Sequence, residues 1–221
     1  MNTQRNIIED KFKIIISVGD DSGVGPEIIL KALFSKEIPT NVDFIIVGSK
    51  NNLENTYKNL KSLGVENVAD PNSYKICDVK VPFEKNKHKK SNGNSSFFYL
   101  KKAIEIVQKY RNAALVTGPI CKKSWALAGH HYSGQTELLA ESCQVNDVGM
   151  LFTAKSPITG WRFNTLLATT HIPLCQVPMQ LSTNLIHRKL DLLTKFCKTY
   201  VKNPLLKVAG LNPHAGEEGI L

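Results

Sequence analysis

Short apolar runs alternating with helical patterns restrict this chain's fold more than any other feature. The runs are Ile14-Ile15-Ile16, Phe44–Val47, Ala113–Thr117 and Leu206–Leu211. Runs of this length read as buried strands. Strands alternating with helices predict a three-layer α/β architecture around a sheet that is at least partly parallel. Helices are expected over 26–34, with Pro26 at a first-turn position where its missing N–H costs nothing, and over 50–63, ended by Gly64. A third, over 95–110, sets Leu100, Ile104 and Val107 on one face. Short helices follow over 122–128 and 136–143, where Thr136 can serve as N-cap. Met150–Thr153 and Asn164–Ala168 read as neighbouring strands turned by Pro157–Gly160. The longest amphipathic helix runs over 181–200, with Leu185, Leu192, Leu193 and Phe196 on its apolar side. Two lobes are expected, 1–118 and 119–221, meeting near Gly118-Pro119 without a flexible linker.

With 221 residues, 42% of them hydrophobic, the chain can bury a sizeable core. No apolar run approaches the roughly 20 residues that span a bilayer. Met1–Lys13 is polar, without the apolar core of a signal peptide, so the expected compartment is the cytoplasm. Five dispersed cysteines without a C-x-x-C pair suit reduced thiols. The formal charge of +9 is concentrated in Lys80–Lys102, which reads as a solvated loop rich in Asn, Ser and Gly. No nucleic-acid motif accompanies it, so no nucleic-acid partner is expected. A basic surface suits phosphorylated metabolites.

Two loops carry the histidines with most chemical promise. His171 follows the run Thr165–Ala168, and His214 follows Leu205–Leu211. Read as strands, these runs place each imidazole just past a carboxyl end, where α/β sheets bind ligands. Two imidazoles brought to one sheet edge can share a divalent metal, although a catalytic metal usually takes three protein ligands. Hydrogen-bonded loop histidines are the alternative. Glu217 is a candidate to orient His214. The loop Gly19–Gly25 spaces its glycines G-x-x-x-G-x-G, which is not the dinucleotide fingerprint; Asp20 and Asp21 would repel a phosphate. It reads as a structural turn or as a loop beside a site. Lys122 and Lys123, after a strand end, can meet an acidic ligand or simply face solvent.

Four segments in order, Gly19-Asp20-Asp21-Ser22-Gly23-Val24-Gly25-Pro26-Glu27, Thr117-Gly118-Pro119-Ile120-Cys121-Lys122 with Gly134-Gln135-Thr136-Glu137, Thr169-Thr170-His171 and Asn212-Pro213-His214, resemble the 4-hydroxythreonine-4-phosphate dehydrogenase family of pyridoxal phosphate biosynthesis. The resemblance implies an isocitrate/isopropylmalate dehydrogenase-like α/β/α fold and a cytoplasmic homodimer. It also implies oxidation of 4-phosphohydroxy-L-threonine with decarboxylation, using NAD or NADP and a divalent metal (Zn, Mg or Co). His171 and His214 correspond to metal ligands, and Gln135 and Thr136 to substrate contacts. Gln135 stands where the family has His, Asp21-Ser22 where Pro-Ala is usual, and Glu218 where Gly is usual. Family members are longer; their further part carries a third metal-binding His, other substrate contacts and much of the nucleotide site. The chain is thus identified as a C-terminally truncated member with an incomplete fold, its third metal ligand expected from a partner subunit. A dehydrogenase of a related phosphorylated sugar acid, or an inactive metabolite-binding or subunit-interaction protein, are the alternatives.

Overall fold

Successive side chains of a strand point to opposite faces, so a continuous apolar run needs cover on both. The computed structural model, which describes residues 11–81 and 88–220, provides that cover. Strands β1 (Phe12–Ser17), β2 (Val42–Gly48), β3 (Lys75–Asp78) and β4 (Ala113–Thr117) form one sheet in the order β3-β2-β1-β4. All three pairings are parallel, with Ile15 opposite Ile45 on one side and Leu115 on the other. Ile16, Val18 and Ile46 pack on Ile29, Leu30 and Leu33 of α1 (Gly25–Phe34) and Leu53 of α2 (Lys50–Ser62). Ile15, Ile45 and Val47 face the other way and pack on Ala103 of α3 (His88–Val107). Fully burying each such aliphatic side chain contributes about 1.5–3 kcal/mol. The expected three layers are therefore present in this sheet.

The division of the chain is into two compact units, one ending at Cys143 and the other beginning at Gln144. Gly118 and Pro119 lie inside the first, which also holds α4 (Lys122–Leu127) and α5 (Gln135–Ser142). Phe97, Leu100 and Ile104 of α3 join Trp125 of α4 and Leu138 of α5 in a third apolar cluster.

Residues 88–94, read from sequence as solvated loop, are instead the first turns of α3. Ser91, Ser95 and Ser96 are buried. Their small size is the reason: α4 packs backbone to backbone on this stretch, and a Cβ on Gly93 would lie 2.0 Å from the Ser124 carbonyl oxygen. The polar groups are paired inside the contact. Trp125 Nε1–H donates to Ser96 Oγ at 2.9 Å, and His130 Nε2 bonds Asn94 Oδ1 at 2.9 Å. Residues 82–87, with Lys85 and Lys87, lie outside the described residues.

In the second unit, β5 (Leu151–Lys155) and β6 (Arg162–Leu166) form the expected hairpin, antiparallel, with Leu151 opposite Leu166. Two helices follow, α6 (Val177–Gln180) and α7 (Thr183–Cys197). Ser182 caps α7 by accepting from the Leu185 N–H at 3.2 Å. Two expectations fail here. The run before His171 belongs to this hairpin and not to the parallel sheet, and Leu206–Leu211 is not a strand. Apolar pattern alone cannot make a strand, because its backbone groups need a neighbour. Among the described residues no strand pairs with this segment, and Leu205 and Val208 are exposed. All five cysteines are free thiols, and no described helix is long and apolar enough to cross a membrane.

The α3–α4 contact is directly testable. Gly93→Ala should destabilise the protein by about 2 kcal/mol and lower its melting temperature by roughly 4–8 °C. Calorimetry showing an unchanged melting temperature would mean that the two helices do not meet at this glycine.

Candidate functional site at the carboxyl ends of β1 and β4

From β1 the sheet extends through β2 and β3 on one side and β4 on the other. Connections leaving such a point in opposite directions open the crevice in which α/β sheets bind ligands. Here the two loops beside it are pressed together. The Gly118 N–H donates to the Ser17 carbonyl at 2.7 Å, and the Asp20 N–H donates to the Pro119 carbonyl at 2.9 Å. Side chains are excluded from this meeting. A Cβ on Gly19 (φ +82°) would lie 2.3 Å from the Pro119 oxygen, and one on Gly118 would lie 2.2 Å from the Val18 oxygen.

Gln135 opens α5 and reaches back to this junction. Its Nε2–H donates to the Gly118 carbonyl at 3.2 Å, while its Oε1 is buried without a partner. Thr136 is exposed and sits inside the first turn; the N-cap is Gly134, so the expected capping by Thr136 does not occur. Gly134 has extended backbone (φ 179°), and Lys122 and Glu137 lie beside it. A Cβ placed on Gly134 would stand 3.7 Å from Lys122 Nζ and 3.5 Å from Glu137 Oε2.

The loop after β1 is held by contacts that sequence patterning did not reveal. Asp20 Oδ1 accepts from the Ser22 N–H at 2.9 Å. Tyr99, on α3, donates its hydroxyl to Asp21 Oδ2 at 2.7 Å, and Asn52, on α2, donates to the Asp21 carbonyl at 3.0 Å. Asn92 donates to the Ser22 hydroxyl. Asp21 Oδ1 is buried and unpaired. Burial pushes the Asp21 carboxyl above the usual carboxylate range; the Tyr99 hydrogen bond opposes this, and the charge of Asp20 adds to it. Burial, then the bond to Asp21, raises the Tyr99 hydroxyl far above its ordinary value. The hint was the run Ser91–Ser96 followed by Phe97-Phe98-Tyr99, whose small polar residues let helix and loop approach.

These contacts decide what the glycine loop can hold. Asp20 is anchored within it and Asp21 is anchored to Tyr99 of α3, and a Cβ on Gly25 would lie 2.2 Å from the Val18 oxygen. The glycines serve close packing, and the loop does not fit a dinucleotide pyrophosphate.

His171 and His214 lie in the second unit, both exposed and both at positive φ, 54° and 51°. A non-glycine residue in this region costs about 1–2 kcal/mol, so each loop is held in an unusual shape. Glu217 Oε1 is 3.8 Å from His214 Nε2, beyond hydrogen-bond reach. The described residues contain no group of three or more His, Cys, Asp or Glu side chains able to hold a metal. Two imidazoles suit a divalent ion in kind; they fall short of the usual number.

The sequence model described as "Pyridoxal phosphate biosynthetic protein PdxA" matches residues 40–221. A 4-hydroxythreonine-4-phosphate dehydrogenase of Synechococcus sp. (strain RCC307) is 45% identical over 211 residues, which are 95% of this chain and 63% of that one. One of Nostoc sp. (strain PCC 7120 / SAG 25.82 / UTEX 2576) is 44% identical over 220 residues, 95% of this chain and 60% of the relative. The chain thus spans less than two thirds of the length of these relatives. A crystal structure of a 4-hydroxythreonine-4-phosphate dehydrogenase from Klebsiella pneumoniae superposes with a TM-score of 0.76 at 26% identity. It covers 96% of this chain and 67% of that one.

Asp21 gives the site a pH signature. Its folded-state pKa is raised, so the stability it contributes is fully present below the unfolded carboxylate value, about 3.9. It is lost as pH rises through the higher folded value. Asp21→Asn removes that loss. Urea midpoints of variant minus wild type should therefore become more positive from pH 4 to pH 7.5. An equal difference at both pH values would contradict a buried, proton-favouring Asp21.

Proposed function

Since the chain belongs to the family described as pyridoxal phosphate biosynthetic protein PdxA, we propose that it works as a cytoplasmic dehydrogenase of 4-phosphohydroxy-L-threonine. The reaction oxidises the substrate hydroxyl to a ketone with NAD or NADP as hydride acceptor, and the β-keto acid then loses carbon dioxide. The observation that carries this reading is the Gln135 amide tied to the Gly118 carbonyl at the paired ends of β1 and β4. It supports the reading because that bond sets Gln135 beside the carboxyl ends of β1 and β4, the side on which such sheets bind ligands.

Gln135 and Thr136 are the substrate contacts in this proposal. Gln135 is held in one orientation by Gly118, because only the amide nitrogen can donate to a carbonyl. Thr136 is exposed in the first turn of α5, with its hydroxyl able to donate and accept. Lys122, beside Gly134, supplies positive charge toward the same helix turn.

His171 and His214 are the proposed ligands of a divalent ion, zinc, magnesium or cobalt. Exposure leaves both imidazoles open to an ion, and water or a second subunit of a homodimer completes its shell. Such an ion acts as a Lewis acid toward a bound hydroxyl. The nicotinamide nucleotide is assigned no residue here, because the loop after β1 does not fit its pyrophosphate.

Calorimetric titration with Co²⁺ at neutral pH tests the ligands. His171→Ala and His214→Ala should each weaken binding at least about tenfold, while exposed His187→Ala should leave it unchanged. Equal affinity in all three variants would make both histidines ordinary loop residues. Turnover is read as NADH or NADPH absorbance with 4-phosphohydroxy-L-threonine; no reduction of either nucleotide by the protein would overturn the dehydrogenase reading.

A further inference from the structure

Gln135 carries information about the ligand that its position alone does not. Its Nε2–H is committed to the Gly118 carbonyl at 3.2 Å, and that carbonyl can only accept. The orientation of the amide is therefore fixed by chemistry, and the atom left over is Oε1, which is buried and unpartnered. An unpaired buried acceptor is destabilising, and a hydrogen-bond donor arriving there would recover much of that loss. A phosphate or carboxylate oxygen would not, since two acceptors repel. Lys122 has the opposite preference: its ammonium lies beside the same turn of α5, next to Gly134, and attracts anions.

We infer that Gln135 is a specificity-determining residue: its Oε1 selects an O–H or N–H donor on the ligand, while Lys122 takes the ligand's anionic end. The inference rests on the reading of Gln135 as a substrate contact and adds the polarity of that contact. The ligand class is a phosphorylated acid bearing a hydroxyl or ammonium group. Its donor meets Gln135, and its phosphate or carboxylate does not.

The family residue at this position makes the distinction sharp. A neutral histidine can donate from one ring nitrogen to Gly118 and accept at the other, mimicking Gln135. A protonated histidine has two donors and no acceptor, which reverses the preference. Gln135→His should thus imitate the wild type above about pH 7.5 and lose donor selection below about pH 5.5. Gln135→Met keeps the length and apolar stem and removes both polar atoms.

Calorimetric binding with three ligands reads the selection: 4-phosphohydroxy-L-threonine, O-phospho-L-homoserine, which lacks the hydroxyl, and 3-hydroxy-4-phosphobutanoate, which lacks the ammonium. Circular dichroism melts confirm that each variant is folded. The wild type should prefer the complete ligand by about tenfold over whichever analogue lacks the selected donor. Gln135→Met should erase that preference, and Gln135→His should restore it at pH 7.5 but not at pH 5.5. The analogue that suffers identifies hydroxyl or ammonium as the group read. If Gln135→Met weakens all three ligands equally, or none, the selection by Gln135 is wrong while the substrate reading survives. If the wild type binds none of the three, the substrate reading falls and takes this inference with it.

Discussion

Two backbone hydrogen bonds, from the Gly118 N–H to Ser17 and from the Asp20 N–H to Pro119, hold together the loops that leave the carboxyl ends of β1 and β4. Parallel neighbours deliver both carboxyl ends to the same side of the sheet, but pairing alone would leave the loops beyond them free to diverge. Glycine at 19 and 118 lets the two backbones meet at distances that no Cβ would permit. Once they meet, the Gly118 carbonyl has a fixed direction, and Gln135 finds it from the start of α5. The position of that amide is therefore a consequence of backbone packing two elements away.

The loop after β1 is secured from a different side. Asp21 and Ser22, where the resembled family usually has Pro-Ala, exchange the rigidity of a proline ring for side-chain hydrogen bonds to Tyr99 and Asn92, while Asn52 holds the Asp21 main-chain carbonyl. Those partners come from α2 and α3, with Asn92 in the polar first half of α3. The same half of α3 admits the α4 backbone at Gly93, so one small polar stretch serves both the core and the site. The exchange is not free of cost, since it buries a carboxyl whose Oδ1 has no partner. A buried acid of this kind makes loop stability depend on pH in the direction opposite to a salt-bridged one.

Much of the first unit was legible in the apolar pattern. Ile14, Ile15 and Ile16 form a strand covered on both faces, and Ala113–Thr117 pairs with it in parallel. Helix signals served well where they were local: the helix expected over 50–63 is α2, and Gly64 follows its end at φ +78°. The polar half of α3 was not legible, because Ser and Asn buried in a close helix contact look the same in sequence as Ser and Asn in water. Leu206–Leu211 misled for the converse reason, since an apolar run specifies a strand only when a neighbour accepts its backbone. Among the candidate site residues, Gln135 was visible through its motif, but the bond that orients it was not. Asp21 was visible only as a departure, and nothing in the apolar pattern marked Tyr99 as its partner.

Amide hydrogen exchange at Gly118 and Asp20, followed by NMR, tests the meeting of the two loops most directly. If it organises the site, both amides should exchange at least about a thousandfold more slowly than in an unstructured chain, an opening free energy of roughly 4 kcal/mol. Their protection should match that of the β1 amides. Exchange of either amide at the rate of an open loop, while β1 stays protected, would contradict it and would leave the Gln135 amide without the fixed carbonyl on which its role depends.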